Sequence, residues 1–175
     1  LEQTQAKIYA LVRAPTHLEG QARLRANLEA AAPQEAIRRA FESRVAAVPG
    51  DLAQPRLGLT QSVWNQLAAE VDTIYHNGAL VNYLFTYKQM RPANVLGTND
   101  VLRLAFEGRS KILNYVSTTF IFGWATTDVL SESDSNAQME LLDFGYSQSK
   151  WVAEQLVLDA RRRGLTTRIF RPALI

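Results

Sequence analysis

The chain has 175 residues, 47% of them hydrophobic, with a net charge of +2, which is enough for one domain with a buried core over residues 1–175. It has no cysteine and two histidines, which excludes a disulfide framework and a cysteine-based metal site, and we predict no metal. The basic residues are dispersed, and no apolar run approaches the ~20 residues that span a bilayer. We therefore expect no nucleic-acid or membrane partner and, without a signal-peptide pattern, a cytoplasmic location.

Strand and helix patterns alternate along the chain. In chain order we predict strand 6–12, helices 19–32 and 34–42, strand 44–48, helix 60–69 capped by Thr60, strand 71–75, helix 93–107 stopped by Gly108, strand 111–118, a loop at 131–138, helix 145–163 stopped by Gly164, and strand 166–170. Apolar strands that alternate with helices predict an α/β fold with a doubly wound parallel sheet.

Tyr146 and Lys150 are four residues apart within a predicted helix, so their side chains lie on one face, one turn apart. An ordinary tyrosine has a pKa of about 10, too high for easy proton transfer at neutral pH. A neighbouring ammonium favours the phenolate and is expected to lower that pKa. The pair is thus a candidate for general acid–base catalysis, although many helices carry this spacing by chance.

Thr118 lies at the end of a predicted strand, 28 positions before Tyr146. Ligands of parallel sheets bind beyond the carboxyl ends of the strands, where a hydroxyl can donate to a substrate carbonyl oxygen. The alternative is a threonine that only caps a turn. Its neighbour Thr119 is expected to face the opposite side of the sheet.

These residues, together with the stretch 116–123 and the pair Arg171-Pro172, resemble an extended short-chain dehydrogenase/reductase. More narrowly, the chain resembles the thioester reductase domains of nonribosomal peptide and polyketide synthases, and it is similar to the reductase parts of carboxylic acid and aminoadipate reductases. The matching stretches, in the order that the family has them, are 8–14, 48–52, 74–79, 93–98 and 145–154. The resemblance implies a Rossmann-like sheet.

The resemblance also implies roles for four residues. Thr118 would polarise the thioester carbonyl, and Tyr146 would donate the proton. Lys150 would lower the tyrosine pKa and bond the nicotinamide ribose. Asn94 would support the site from a neighbouring helix, unless it is only a buried structural asparagine. The implied partner is an acyl or peptidyl carrier domain bearing a phosphopantetheine thioester.

The cofactor that the sequence favours is NADPH. Sites that prefer NADH place an acid after the second strand of the fold, whereas this chain has Arg13 there, and a guanidinium pairs well with a phosphate. The alternative is a solvent-facing arginine. The further cofactor-binding candidates are Arg23, Asp51, Leu52, Asn77, Gly78 and Ala79, besides Tyr146 and Lys150. We assign no chemistry to His76.

The chain departs from the family in lacking a Gly-rich turn to seat the pyrophosphate, and it ends soon after Pro172. We therefore expect an incomplete sheet, the middle part of a longer reductase, which by itself is unstable or associates and binds NADPH weakly. The implied reaction is reductive release of a thioester to an aldehyde, with an alcohol after a second round. The alternatives are an extended reductase or epimerase acting on a small molecule or nucleotide sugar, and a degenerate non-catalytic module.

Overall fold

The computed structural model describes residues 1, 3–31, 34–123, 129–134 and 139–173. It divides into two compact units, residues 1–51 and 52–175. Every strand pair within the described residues is parallel, and helices connect the paired strands. The prediction of an α/β fold with parallel strands is therefore confirmed. Part of the predicted loop, 135–138, lies outside the described residues.

The first unit contains two strands and two helices. They are β1 (Ile8–Val12), α1 (His17–Ala31), α2 (Glu35–Arg44) and β2 (Val45–Pro49). These bounds agree with the predicted elements to within two residues. Strands β1 and β2 pair in register from Ile8 with Val45 to Val12 with Pro49.

Helix α1 packs against the strands of the first unit through the hydrogen bonds of Gln21 and a close approach at Gly20. Gln21 donates to the carbonyl of Val45 at 2.9 Å and accepts from the backbone N–H of Ala47 at 2.9 Å. Gly20 is buried, and a Cβ there would lie 2.8 Å from Cγ1 of Val12. The helix can approach the strands this closely because residue 20 has no side chain.

The second unit has a three-stranded sheet in the order β3-β4-β5. Its elements are α3 (Gln61–Glu70), β3 (Thr73–His76), α4 (Tyr87–Arg91), a π-helical turn (Pro92–Leu96), α5 (Gly97–Phe106), β4 (Ile112–Val116), α6 (Gly145–Arg162) and β5 (Thr167–Phe170), with 3₁₀ turns at Pro55–Gly58, Thr119–Phe122 and Met139–Leu141. Thr60 caps α3 as predicted, accepting from the N–H of Val63 at 3.4 Å.

The helical stretch around Asn94 is longer than predicted. It begins at Tyr87 because Thr86 and Gln89 form a reciprocal capping box, and it continues through a π-helical turn that starts at Pro92. Proline lacks an N–H to donate, and the wider turn accommodates it without ending the helix. Strand β4 is shorter than predicted and ends at Val116.

Lys111 closes the ends of two helices. Its buried ammonium donates to the carbonyls of Ala68, Glu107 and Arg109 at 2.9, 2.7 and 2.8 Å. Gly108 ends the preceding helical stretch as predicted, with φ +72°, and a Cβ there would lie 2.6 Å from the oxygen of Ala68. A residue predicted to begin a strand therefore satisfies the carbonyls that helices leave unpaired.

Candidate active site

A cleft of about 270 Å³ lies at the carboxyl ends of β3 and β4 in the second unit. Parallel sheets bind ligands at this end of their strands. The lining residues are Asn77, Ala79, Val81, Tyr83, Val116, Ser117, Thr118, Phe120, Tyr146, Lys150, Pro172 and Ala173. The three residues predicted to carry the chemistry, Thr118, Tyr146 and Lys150, are therefore brought together.

Thr118 both caps a turn and faces the cleft. Its backbone is extended, and its hydroxyl oxygen accepts the N–H of Phe120 at 3.2 Å, which starts the 3₁₀ turn. Among the described residues this hydroxyl donates to no partner. The two interpretations of Thr118 are thus compatible. Thr119 is exposed and does not line the cleft.

Lys150 lines the cleft and is anchored by its contacts with strand β4. Its buried ammonium donates to the carbonyl of Val116 at 2.7 Å and lies 4.3 Å from the ring centroid of Tyr115. Burial lowers the pKa of Lys150 to about 8, and the charge of Glu154 partly opposes that shift. The ammonium is therefore fixed on a side chain one helical turn from Tyr146, and its pKa lies about one unit above neutral pH.

The pKa of Tyr146 differs from the sequence-based expectation. Burial raises it, and the neighbouring Tyr83 raises it further, so the expected lowering by Lys150 is not found. The physical reason is that the Lys150 ammonium points to Val116 and the Tyr115 ring, while the phenol is enclosed by aromatic rings. Tyr146 therefore stays protonated at neutral pH.

Asn94 supports the cleft from behind and does not line it. From the π-helical turn it donates to the Leu80 carbonyl at 2.9 Å and accepts the Leu80 N–H at 2.7 Å. Its amide also donates to the Ser149 hydroxyl at 2.9 Å, which donates to the Tyr146 carbonyl at 2.7 Å. Asn94 thus connects the strand-end loop to the helix that carries Tyr146.

His76, to which we assigned no chemistry, belongs to the same buried network. Its Nε2 lies 2.9 Å from the hydroxyl of Thr98, which donates to the Asn94 carbonyl at 2.6 Å. Because the Thr98 proton is used there, His76 donates and carries its proton on Nε2. Burial and the charge of Lys150 lower the pKa of His76 to about 3, so the imidazole is neutral. The pattern of the sequence contained no signal for this role.

The cofactor-binding candidates fall in both units. Asn77 and Ala79 line the cleft, and a Cβ on Gly78 would lie 2.8 Å from Cδ1 of Leu52, which packs behind the glycine. In the first unit, Arg23 donates to the carbonyl of Arg13 at 3.0 Å, and Asp51 follows β2.

The groups at this strand end favour a polar ligand. Ser117 lines the cleft, and its buried hydroxyl has no hydrogen-bond partner among the described residues. Lys150 supplies a cation beside it, and Asn77 an amide. Unsatisfied polar groups of this kind favour a polar ligand over an apolar one. In the described part of the chain no three His, Cys, Asp or Glu side chains are close enough to hold a metal ion.

The apolar side of the cleft was missed by the sequence-based prediction. Tyr83 and Phe120 line it, and both rings contact Tyr146, at centroid distances of 5.9 and 6.4 Å. The only signal in the sequence is an aromatic-rich stretch after the strand end at His76, and nothing in its spacing links it to Tyr146.

Comparison with known proteins agrees with this geometry. The family model described as male sterility protein, an NAD-binding family, matches residues 1–175. The chain belongs to this family. The resemblance to reductase domains of peptide and polyketide synthases is thereby confirmed, as is the Rossmann-like α/β fold.

Three relatives illustrate the family. The chain is 45% identical over 174 residues to a linear gramicidin synthase of Brevibacillus parabrevis, covering 98% of the chain and 3% of that protein. It is 37% identical over 182 residues to the large subunit of L-2-aminoadipate reductase of Penicillium chrysogenum, covering 97% of the chain and 13% of that protein. The terminal R domain of the myxalamid PKS-NRPS pathway superposes with a TM-score of 0.92 and 46% identity, over 98% of the chain and 43% of that domain. The chain thus spans a minor part of each relative. No helix in the described ranges is long and apolar enough to cross a membrane.

Proposed function

We propose that the chain is part of an NADPH-dependent reductase that releases a carrier-bound acyl or peptidyl thioester as an aldehyde, with reduction to the alcohol as a second round. One observation carries the proposal. Thr118, Tyr146 and Lys150 line a single cleft, and the Lys150 ammonium is bonded to the carbonyl of Val116. Two hydroxyl donors in one cleft are what reduction of a carbonyl requires.

Each side chain has a defined task in this proposal. Thr118 donates its free proton to the thioester carbonyl oxygen and polarises it. Bound NADPH would supply the hydride that the carbonyl carbon accepts. Tyr146 transfers its proton to the oxygen, which gives a hemithioacetal, and collapse of that species expels the pantetheine thiol and leaves the aldehyde. Lys150, whose ammonium is bonded to the carbonyl of Val116, would bond the nicotinamide ribose.

The preference for NADPH over NADH is part of the proposal. We assign the 2′-phosphate to Arg13, with Arg23 as the second candidate, because a guanidinium binds phosphate strongly. Asp51 and Leu52 would flank the adenine. The backbone of Asn77, Gly78 and Ala79 would pass close to the cofactor, and Lys150 would bond the ribose. Exchange of Arg13 for Glu is expected to reverse the preference between the two cofactors.

The proposed partner is an acyl or peptidyl carrier domain whose phosphopantetheine arm delivers the thioester. This follows from the family, whose members include a linear gramicidin synthase. We propose a cytoplasmic location, which suits a chain without cysteine.

The test is NADPH oxidation by the full-length protein with an acyl-pantetheine thioester. Tyr146→Phe removes the proton donor with little change in volume and is expected to lower kcat by at least about 100-fold. Tyr75→Phe is the matched control, because Tyr75 is 75% exposed and does not line the cleft. Oxidation that survives in Tyr146→Phe would move the proton donor elsewhere. Absence of oxidation in the wild type would favour the epimerase-like or non-catalytic alternatives.

A further inference from the structure

Tyr83 contacts three other aromatic rings, one of which belongs to Tyr146, the proposed proton donor. Its ring centroid is 5.9 Å from that of Tyr146 and 6.0 Å from those of Phe120 and Phe144, all at edge-to-face angles of 60–74°. We call these four residues the aromatic cluster. Aromatic pairs prefer this geometry, so the cluster stabilises one orientation of the Tyr83 ring.

The segment that carries Tyr83 is held on both sides although the side chain is 46% exposed. On one side, Leu80 forms both hydrogen bonds with Asn94. On the other side, Asn82 accepts the N–H groups of Leu84 and Phe85 at 2.8 and 3.1 Å. A half-exposed aromatic ring on an anchored loop is a preformed surface for a ligand, because ordering it costs little entropy on binding.

The cleft has polar and apolar lining residues. Thr118 and Lys150 are polar, whereas Val81, Tyr83 and Phe120 are apolar or aromatic, and the rings of Tyr83 and Phe120 contact each other at a centroid distance of 6.0 Å. We call these three residues the apolar wall. Among the described lining residues Lys150 is the only charged one, and its ammonium is bonded to the carbonyl of Val116. A charged ligand group packed against the rings of Tyr83 and Phe120 would lose hydration, and the rings themselves offer it no counter-ion.

We propose that Val81, Tyr83 and Phe120 form an apolar acyl subsite, in which Tyr83 is the specificity-determining residue. The inference rests on the proposed function, since it names the class of thioester that the site selects: acyl groups that are apolar along their chain and carry no charged end. A carbonyl bonded to Thr118 and Tyr146 shares its cleft of about 270 Å³ with this wall, so its substituent is buried against the rings.

The experiment compares hexanoyl-pantetheine with adipoyl-pantetheine, which have equal chain lengths and differ in a terminal carboxylate. Dissociation constants are measured by calorimetry on the full-length protein, and NADPH oxidation is followed separately. We expect the hexanoyl compound to bind at least about 10-fold more tightly. A change of one small apolar group in a hydrophobic pocket usually alters discrimination by at least that factor. Tyr83→Ala is expected to remove most of that preference, Tyr83→Phe to retain it, and Tyr75→Ala to leave it unchanged.

Equal binding of the two thioesters by the wild type, or an undiminished preference in Tyr83→Ala, would overturn the proposal. If Tyr83→Ala does not fold, Val81→Asp serves instead, because Val81 is 56% exposed, and it is expected to weaken hexanoyl binding at least about 10-fold. Calorimetry measures the difference in binding between the two thioesters, and this measurement does not depend on the reaction taking place. A failure of NADPH oxidation would therefore count against the proposed reaction, whereas loss of the preference would count against the subsite.

Discussion

Asn94 and the backbone of Leu80 are joined by two hydrogen bonds, of 2.7 and 2.9 Å, between a π-helical turn and a strand-end loop. The same amide reaches Ser149, which bonds to the carbonyl of Tyr146. One buried side chain therefore positions both walls of the cleft, the loop with Tyr83 and the helix with Tyr146. Its role is to position these groups, since Asn94 does not line the cleft.

Asn94→Ala is expected to lower the free energy of unfolding by about 3 kcal/mol, because it leaves the buried partners at Leu80 and Ser149 unsatisfied. Urea denaturation measures the effect. Asn65→Ala is the control, since Asn65 is exposed on α3 and its loss is expected to cost less than about 0.5 kcal/mol. Equal stabilities of the two variants would contradict the positioning role.

Gly145→Ala is expected to separate the first turn of α6 from the loop that precedes α4. A Cβ at residue 145 would overlap the backbone of Phe85 and Thr86 and would lie 2.5 Å from the backbone nitrogen of Tyr87. Backbone atoms cannot move aside as a flexible side chain does, so we expect a loss of about 3 kcal/mol, measured by thermal or urea unfolding. Gln155→Ala, at a half-buried position of the same helix, provides the control and is expected to be nearly neutral.

Activity is expected to fall as the pH rises through about 8. The pKa of Lys150 is lowered to about 8 by burial, so above that pH the side chain loses the charge and the proton with which, in the proposed function, it bonds the nicotinamide ribose. The measurement is the pH dependence of kcat/KM in the full-length protein. Lys150→Arg keeps its charge, so any residual activity is expected to show no decline near pH 8. An unchanged alkaline limb in that variant would assign the titration to another group.

Stability is expected to fall on the acid side because of His76. The pKa of His76 is about 3 in the folded chain and near 6.5 in the unfolded chain. Between these two pH values the imidazole is protonated in the unfolded chain and neutral in the folded chain. The contribution of the neutral imidazole is complete above about pH 6.5 and is lost progressively as the pH falls toward 3. Urea midpoints measured between pH 7 and 4 test this. In His76→Gln the decline should be smaller, and an equal decline would assign it to carboxylates.

Much of the fold was predictable from local patterns. The alternation of apolar strands and helices, the stops at Gly108 and Gly164 and the cap at Thr60 depend on short-range backbone physics, and they recur in the structure. The π-helical turn at Pro92 was not predictable, because proline normally ends a helix, and here a wider turn accommodates it.

The candidate site was predictable in its residues and not in its contacts. Tyr146 and Lys150 lie on one helix face because of their spacing, yet the sequence-based expectation that the lysine lowers the tyrosine pKa was wrong. The direction of the Lys150 ammonium depends on the carbonyl of Val116, 34 residues away in the chain. Tyr83 is likewise 63 residues from Tyr146 and has no periodic relation to it.

The sequence by itself determined the class of fold, the family and the set of hydroxyl and amine groups available for chemistry, because periodicity, turn residues and motif spacing act over a few residues. Only the tertiary structure decided which groups share the cleft, which groups each hydroxyl bonds to, and which pKa values burial shifts. Those properties depend on distances between side chains far apart in the chain, and on the water excluded when the helices pack against the sheet.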